Sequence, residues 1–189
     1  MRLAIPLNRL KKNRPDREKT LDNRKEICYN IITERKEDRE MKKTLVFDMD
    51  GTIADLYGVD GWLEMLRAED ATPYEIAKPM YNMEVLTSLL LLLKTEGWRI
   101  AVTTWLAKGS TKAYDEKVRK AKIEWLEKVG FPYDEIHLVK YGTTKANCTR
   151  KHGGFQILVD DNEKVRNGWT LGNVIDANIN ILDKLAELL

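Results

Sequence analysis

Residues 45–52 read Leu45-Val46-Phe47-Asp48-Met49-Asp50-Gly51-Thr52, an apolar run that ends in two aspartates two positions apart, followed at once by a glycine. In an extended strand, positions i and i+2 share a side, and a turn at Gly51 curls the chain so that the carboxylates of Asp48 and Asp50 converge beyond the strand end. Close carboxylates repel unless a cation sits among them. The stretch therefore predicts a strand that delivers a cation and a phosphate site at its carboxyl end.

Outward from this strand, short apolar runs recur at residues 99–103, 136–139, 157–159 and, more weakly, 173–175. Helical patterns lie between them. Residues 83–96 have the apolar density and length of a packed helix and stop at Gly97, while 111–129 carry Tyr114, Val118, Ala121, Trp125 and Val129 at spacings of three and four and stop at Gly130, with Pro132 beyond. A last helix is expected over 178–189, with Ile181, Leu182, Leu185, Leu188 and Leu189 on one face. Strands alternating with helices predict an α/β fold, a doubly wound parallel sheet covered on both faces. Ligands of such sheets bind beyond the carboxyl ends of the strands, where Asp48, Thr103 and Asp160 are expected. About 45 residues separate Thr52 from Gly97, which leaves room for a small helical lid around 62–69 within an excursion over about 54–82.

Composition bounds the function. Of the 32 basic and 30 acidic residues, 12 and 8 fall in residues 1–40, leaving 20 and 22 beyond. The basic character lives in this leader, expected to be a mobile, weakly structured extension. The domain proper is expected over 41–189, and Met41-Lys42-Lys43 before the first strand looks like a natural start of a chain. Two cysteines, Cys28 and Cys148, make neither a disulfide framework nor a metal cluster, which points to a reducing cytoplasm. The longest leucine run, 89–93, is far short of the roughly 20 residues that a bilayer requires, so no membrane partner is expected. The whole-chain charge of +2 gives no general argument for nucleic acid.

Phosphoryl transfer asks for a nucleophile, a proton donor, a cation and donors to the phosphate oxygens. Asp48 and Asp50 offer two carboxyl groups; Asp160 and Asp161, after Ile157-Leu158-Val159, offer two more. Oxygen ligands from separate strands, with no Cys or His among them, suit Mg²⁺. The hydroxyls of Thr103 and Thr104 can meet a phosphoryl group, and Lys145 can neutralise the charge that nucleophile and phosphate oppose to each other. Asp55 reads as a cap or backbone binder. His137 and His152 read as structural or exposed. Tyr57, Trp62 and Tyr81 can stack on a ring or pack the lid, and Trp98, Trp125 and Trp169 read as core.

Asp48-Met49-Asp50-Gly51-Thr52, the strand ending at Thr103, Lys145, and Asp160-Asp161 together resemble the four ordered motifs of the haloacid dehalogenase superfamily, in its phosphatase branch, over about residues 42–176. The longer string from Asp48 to Asp55 is similar to the opening of the 5'(3')-deoxyribonucleotidases. The resemblance implies that Asp48 attacks phosphorus and becomes an aspartyl phosphate, and that Asp50 protonates the leaving oxygen and then activates water. It implies Mg²⁺ on the Asp48 carboxylate, the Asp50 backbone carbonyl and one acid of the 160/161 pair, Asp161 being favoured. Thr103 and Lys145 would bind the phosphoryl group, with Lys140 and Lys151 as alternatives to Lys145. The implied substrate is a small phosphorylated metabolite, a (deoxy)nucleoside monophosphate first. The alternatives are a polynucleotide end, helped by the basic leader, and a non-catalytic phosphate-binding module.

Overall fold

A computed structural model describes residues 42–189; the expectations for the leader and for a start at Met41 lie outside those residues. The strands are β1 (Lys43–Phe47), β2 (Ala54–Asp55), β3 (Lys78–Pro79), β4 (Trp98–Trp105), β5 (Glu135–Val139), β6 (Phe155–Asp160) and β7 (Gly172–Asp176). The helices are α1 (Trp62–Arg67), α2 (Thr72–Ile76), α3 (Met83–Thr95), α4 (Lys112–Lys128), α5 (Ala146–Thr149), α6 (Glu163–Asn167) and α7 (Ile181–Ala186).

Five strands pair in parallel in the order β5-β4-β1-β6-β7. From β1 the chain winds outward through β4 to β5, then crosses back to add β6 and β7 on the other side. The direction of winding therefore reverses between β1 and β6, the place where doubly wound sheets open a crevice for ligands. Helices on both faces explain why the central strands are apolar at successive positions rather than at alternate ones. Leu45, Phe47, Ile100, Val102, Ile157 and Val159 pack with Leu86, Leu90 and Leu93 of α3 and with Ile181 and Leu185 of α7. Val46, Ala101 and Leu158 pack on the opposite face with Ala146 and Trp169. Trp98, Trp125 and Trp169 are buried, as their sequence context predicts.

Local chemistry sets the helix limits. Asn82 caps α3 by accepting from the backbone N–H groups of Glu84 and Val85, and Thr111 caps α4 by accepting from that of Tyr114. The last helix is shorter than expected. Residues 176–178 form a side-chain-closed turn in which Asp176 Oδ1 accepts from the Asn178 N–H at 2.9 Å, and Asn180 then caps a helix that begins at Ile181. Strand β4 is longer than expected. It runs two residues past Thr103 because β5 offers partners out to the Trp105↔Val139 pair.

Between β1 and α3 the chain makes an excursion that holds α1 and α2. Its two ends meet in the antiparallel β2/β3 pair, Ala54 opposite Pro79 and Asp55 opposite Lys78, a neck that no periodicity announced. Hydrogen bonds tie the excursion to α4 and its cap: Glu69 accepts from the Thr111 N–H at 2.9 Å and hydroxyl at 2.7 Å, the Tyr114 hydroxyl donates to the Asp70 carbonyl at 2.8 Å, and the Trp125 indole N–H donates to the Ala77 carbonyl at 2.7 Å. Asp55 binds backbone, as expected, accepting from the Gly58 N–H at 2.9 Å. Among the described residues no helix is long and apolar enough to cross a membrane.

The leucine run of α3 gives an internal control on the packing. Leu90 is 0% exposed and Leu91 is 49% exposed. Leu90→Ala should lower the unfolding free energy by about 2–5 kcal/mol, and Leu91→Ala by no more than about 0.5 kcal/mol, in urea melts followed by circular dichroism.

Candidate active site

Register brings the site together. Phe47 of β1 lies level with Val102 of β4 and Val159 of β6. One step further on, Asp48, Thr103 and Asp160 therefore share a row at the switch point. The Asp48 N–H donates to the Val159 carbonyl at 2.9 Å, and the Asp48 Oδ1 accepts from the Met49 N–H at 2.7 Å. These bonds fix the carboxylate at the strand end.

The turn that follows needs glycine. Gly51 has φ +75°, and a Cβ built there would lie 2.6 Å from Asp161 Oδ2 and 2.6 Å from the Tyr57 ring. With no side chain, the chain turns tightly and lets Asp161 close in beside Asp48. The Asp161 N–H donates to the Thr52 hydroxyl at 3.2 Å. One oxygen from each of Asp48, Asp160 and Asp161 lies within 4.8 Å of the others. That donor set is all hard oxygen and suits Mg²⁺.

Lys145 stands among these acids. It is 2% exposed, and its ammonium lies 2.8 Å from Asp48 Oδ2 and 2.7 Å from Asp160 Oδ2, beneath the Trp105 ring at 5.2 Å. Burial works against its charge, but Asp48 and Asp160 outweigh burial and hold it above the usual lysine range. Lys151 pairs instead with Glu135 at 3.5 Å, and Lys140 is exposed, so of the three candidate lysines Lys145 is the one beside Asp48. Asp160 is 0% exposed, and its other oxygen, Oδ1, accepts from the Asn162 N–H at 2.8 Å. Burial, and then the Asp48 charge, push both Asp160 and Asp161 upward, Asp161 to about 6.

The two threonines part company. Thr103 is buried, and its hydroxyl has no partner among the described residues. The Thr104 hydroxyl accepts instead from a second buried ammonium, that of Lys122, at 2.8 Å. Lys122 also donates to Asp50 Oδ2 at 2.5 Å and to the Trp105 carbonyl at 2.8 Å. Burial pushes Asp50 upward, the Lys122 charge opposes this, and Asp48 adds to the rise. Lys122 has no place among the sequence-derived candidates. A signal was nonetheless present: Val118, Ala121, Lys122, Trp125 and Leu126 are all buried on α4, so a lysine occupies an inward position of the helical repeat.

Asp48, Asp50 and Asp161 open onto a cavity of about 440 Å³. Its walls include Tyr57 and Trp62, with ring centroids 5.1 Å apart, and Trp105 and Tyr141, 4.9 Å apart. Arg67 and Lys108 also line it. Tyr81 is not among these residues; its hydroxyl donates to the Ala177 carbonyl at 3.1 Å. The histidines flank Glu135 outside the cavity, His152 at 2.5 Å and His137 at 3.4 Å.

No family model matches the sequence, and no curated protein matches it. Among solved structures, a chain of the Pnkp1/Rnl/Hen1 RNA repair complex is similar over 73% of this chain, at 19% identity and a TM-score of 0.48. The present chain spans 43% of that one. The D,D-heptose 1.7-bisphosphate phosphatase from B. bronchiseptica, solved with magnesium and phosphate, is similar over 78% of this chain and 99% of its own, at 10% identity and a TM-score of 0.48.

The raised Asp161 carboxyl has a signed consequence. Between its ordinary 3.8 and about 6 the folded chain binds more protons than the unfolded one, so this group's contribution to stability falls as pH rises through that window. In metal-free protein, the Tm of the parent relative to Asp161→Asn should fall from about pH 4 to about pH 6.5 and stay low above it. Added Mg²⁺ at neutral pH should raise the parent's Tm more than the variant's. A parent that gains on the variant as pH rises would refute the assignment.

Proposed function

We propose that this chain is a Mg²⁺-dependent phosphomonoesterase that works through an aspartyl phosphate on Asp48. The observation that carries the proposal is the asymmetry of the first two aspartates. Asp48 faces the cavity with one oxygen against Lys145 at 2.8 Å. Asp50 lines the same cavity, grips Lys122 through Oδ2, and keeps a buried Oδ1 that is unpartnered among the described residues. This asymmetry supports the reading of Asp48 as the nucleophile and Asp50 as the proton carrier.

In the first half-reaction an Asp48 oxygen forms a bond to phosphorus as the ester P–O bond breaks, and the departing oxygen takes its proton from Asp50. The products are an alcohol and a phosphorylated Asp48. In the second, water attacks phosphorus and gives a proton to Asp50, while the bond to Asp48 breaks and inorganic phosphate leaves. Both aspartates are thereby restored. Lys145 and the Thr103 hydroxyl orient and neutralise the phosphoryl oxygens. Asp48, Asp161 and the Asp50 backbone carbonyl would hold the Mg²⁺. Asp161 is preferred to Asp160 because Asp161 lines the cavity together with Asp48, whereas Asp160 is fully buried against Lys145. The ion would supply positive charge to the phosphoryl oxygens during transfer.

The excursion over residues 54–79 acts as the lid, and the aromatic walls of the cavity favour a planar leaving group stacked between rings. A (deoxy)nucleoside monophosphate fits that description. A specific observation also supports a second substrate, the phosphorylated end of a polynucleotide. Arg67 and Lys108 line the cavity and are exposed, where further phosphates of a longer chain would meet them.

Phosphate release from nucleoside monophosphates and from 3'- and 5'-phosphorylated oligonucleotides, at two salt concentrations, separates the two. Nucleotidase action should be nearly independent of salt, and action on oligonucleotide ends should weaken steeply as salt rises. Asp48→Asn should lower Mg²⁺-dependent turnover of an aryl phosphate by on the order of 10⁴-fold or more while leaving the circular dichroism spectrum unchanged. Unchanged turnover refutes Asp48 as the nucleophile, and a parent inert on every phosphate ester turns the choice to a phosphate-binding module.

A further inference from the structure

Lys122 is 0% exposed, on the inner face of a helix where an apolar side chain would fill the space at lower cost. A buried ammonium is tolerated only when its donors are satisfied, and here all three are. They go to Asp50 Oδ2 at 2.5 Å, the Thr104 hydroxyl at 2.8 Å and the Trp105 carbonyl at 2.8 Å. A lysine has three donors and no more, so three fixed acceptors leave the nitrogen a single position. The ring of Tyr74, from helix α2 of the excursion, closes the fourth side at 4.8 Å.

That position decides how Asp50 stands. Oδ2 is clamped, so the carboxyl cannot rotate freely. Oδ1 is buried and without a partner among the described residues, on a side chain that lines the cavity beside Asp48. Lys145 does nothing comparable for Asp50; its bonds go to Asp48 and Asp160. The two buried lysines therefore serve different acids.

We propose that Lys122 is the positioning residue of the acid/base: anchored by Thr104, Trp105 and the Tyr74 ring, it grips Asp50 Oδ2 and so holds the Asp50 carboxyl in one orientation at the cavity, toward the oxygen of the leaving group. The inference rests on the phosphomonoesterase reading given above. A lysine that merely stabilises the fold would affect all substrates alike. A lysine that aims the proton donor affects each substrate by how much its leaving group needs a proton. A nitrophenolate departs readily without one, whereas an alkoxide scarcely does.

The test is kcat/KM for a series of phosphate monoesters running from p-nitrophenyl through phenyl to simple alkyl, because that constant reports phosphoryl transfer to Asp48 and the loss of the first leaving group. For Lys122→Met, a near-isosteric apolar replacement, kcat/KM should stay within about tenfold of the parent on p-nitrophenyl phosphate. It should fall by about 10²–10⁴-fold on the alkyl esters, with the same steepening in Asp50→Asn. A uniform fall across the series, or no fall, overturns the proposal. If Lys122→Met does not fold by circular dichroism, Thr104→Val, which removes one of the three anchors, should show a smaller steepening in the same direction. A flat profile there overturns the proposal equally. A parent inert on the whole series overturns the phosphomonoesterase reading itself, and that result is distinct from an active parent whose variants lose activity evenly.

Discussion

The crowding of negative charge at the switch point is the constraint around which the rest of this molecule is arranged. Asp48, Asp50, Asp160 and Asp161 converge there because β1 and β6 are neighbours and end in register. At an effective dielectric constant of about 20, two carboxylates about 4 Å apart repel by roughly 4 kcal/mol, and such a group would spring apart without opposing charge. Two buried ammonium groups answer it from different directions. Lys145 comes from the loop before α5 and bridges Asp48 to Asp160. Lys122 comes from the middle of α4 and takes Asp50. Four carboxylates against two lysines still leave an excess of negative charge, and that excess is what a divalent cation matches.

This arrangement also explains why the first two aspartates differ although only Met49 separates them. Met49 is fully buried, with its carbonyl accepting from the Thr52, Ile53 and Ala54 N–H groups. The tight turn so made carries Asp50 away from the row of Asp48, Thr103 and Asp160 and toward α4. One acid joins the oxygen cluster and the other joins a lysine. The same turn brings the chain directly into the neck of the excursion, so Asp48, Asp50 and the first strand of the neck all fall within residues 48–55.

Much of the sheet was legible because β1, β4 and β6 are buried on both faces and therefore read as unbroken apolar runs. The caps and stops of α3 and α4 were legible for a local reason: Asn82, Thr111, Gly97 and Gly130 act within a turn of their own positions. The neck was not, since strands of two residues, one of them ending in Pro79, have no period to detect. The last helix was overextended because Asn178 and Asn180 sit in an apolar repeat but bind backbone outside it. Among the candidate site residues, the acids could be named from their place at the ends of apolar runs, and Lys145 only as one of three lysines, with Lys140 and Lys151 as alternatives. Lys122 could not be found that way, because its partner lies 72 positions earlier and a lysine on an amphipathic helix ordinarily faces water. Only the company it keeps among Val118, Ala121 and Trp125 betrays it.

The neck gives the excursion the character of an exchangeable part. Because Ala54 and Pro79 lie side by side, the chain leaves the core and re-enters it at nearly one point, and its length in between is decoupled from the spacing of the strands. Doubling such a segment costs only about 0.6 kcal/mol of closure entropy. The cavity walls can thus be lengthened or replaced without disturbing the strand ends that hold the acids, provided that a ring is still offered to Lys122 where Tyr74 now stands. Descendants of this chain would then diversify in what they admit while keeping the chemistry beneath it unchanged.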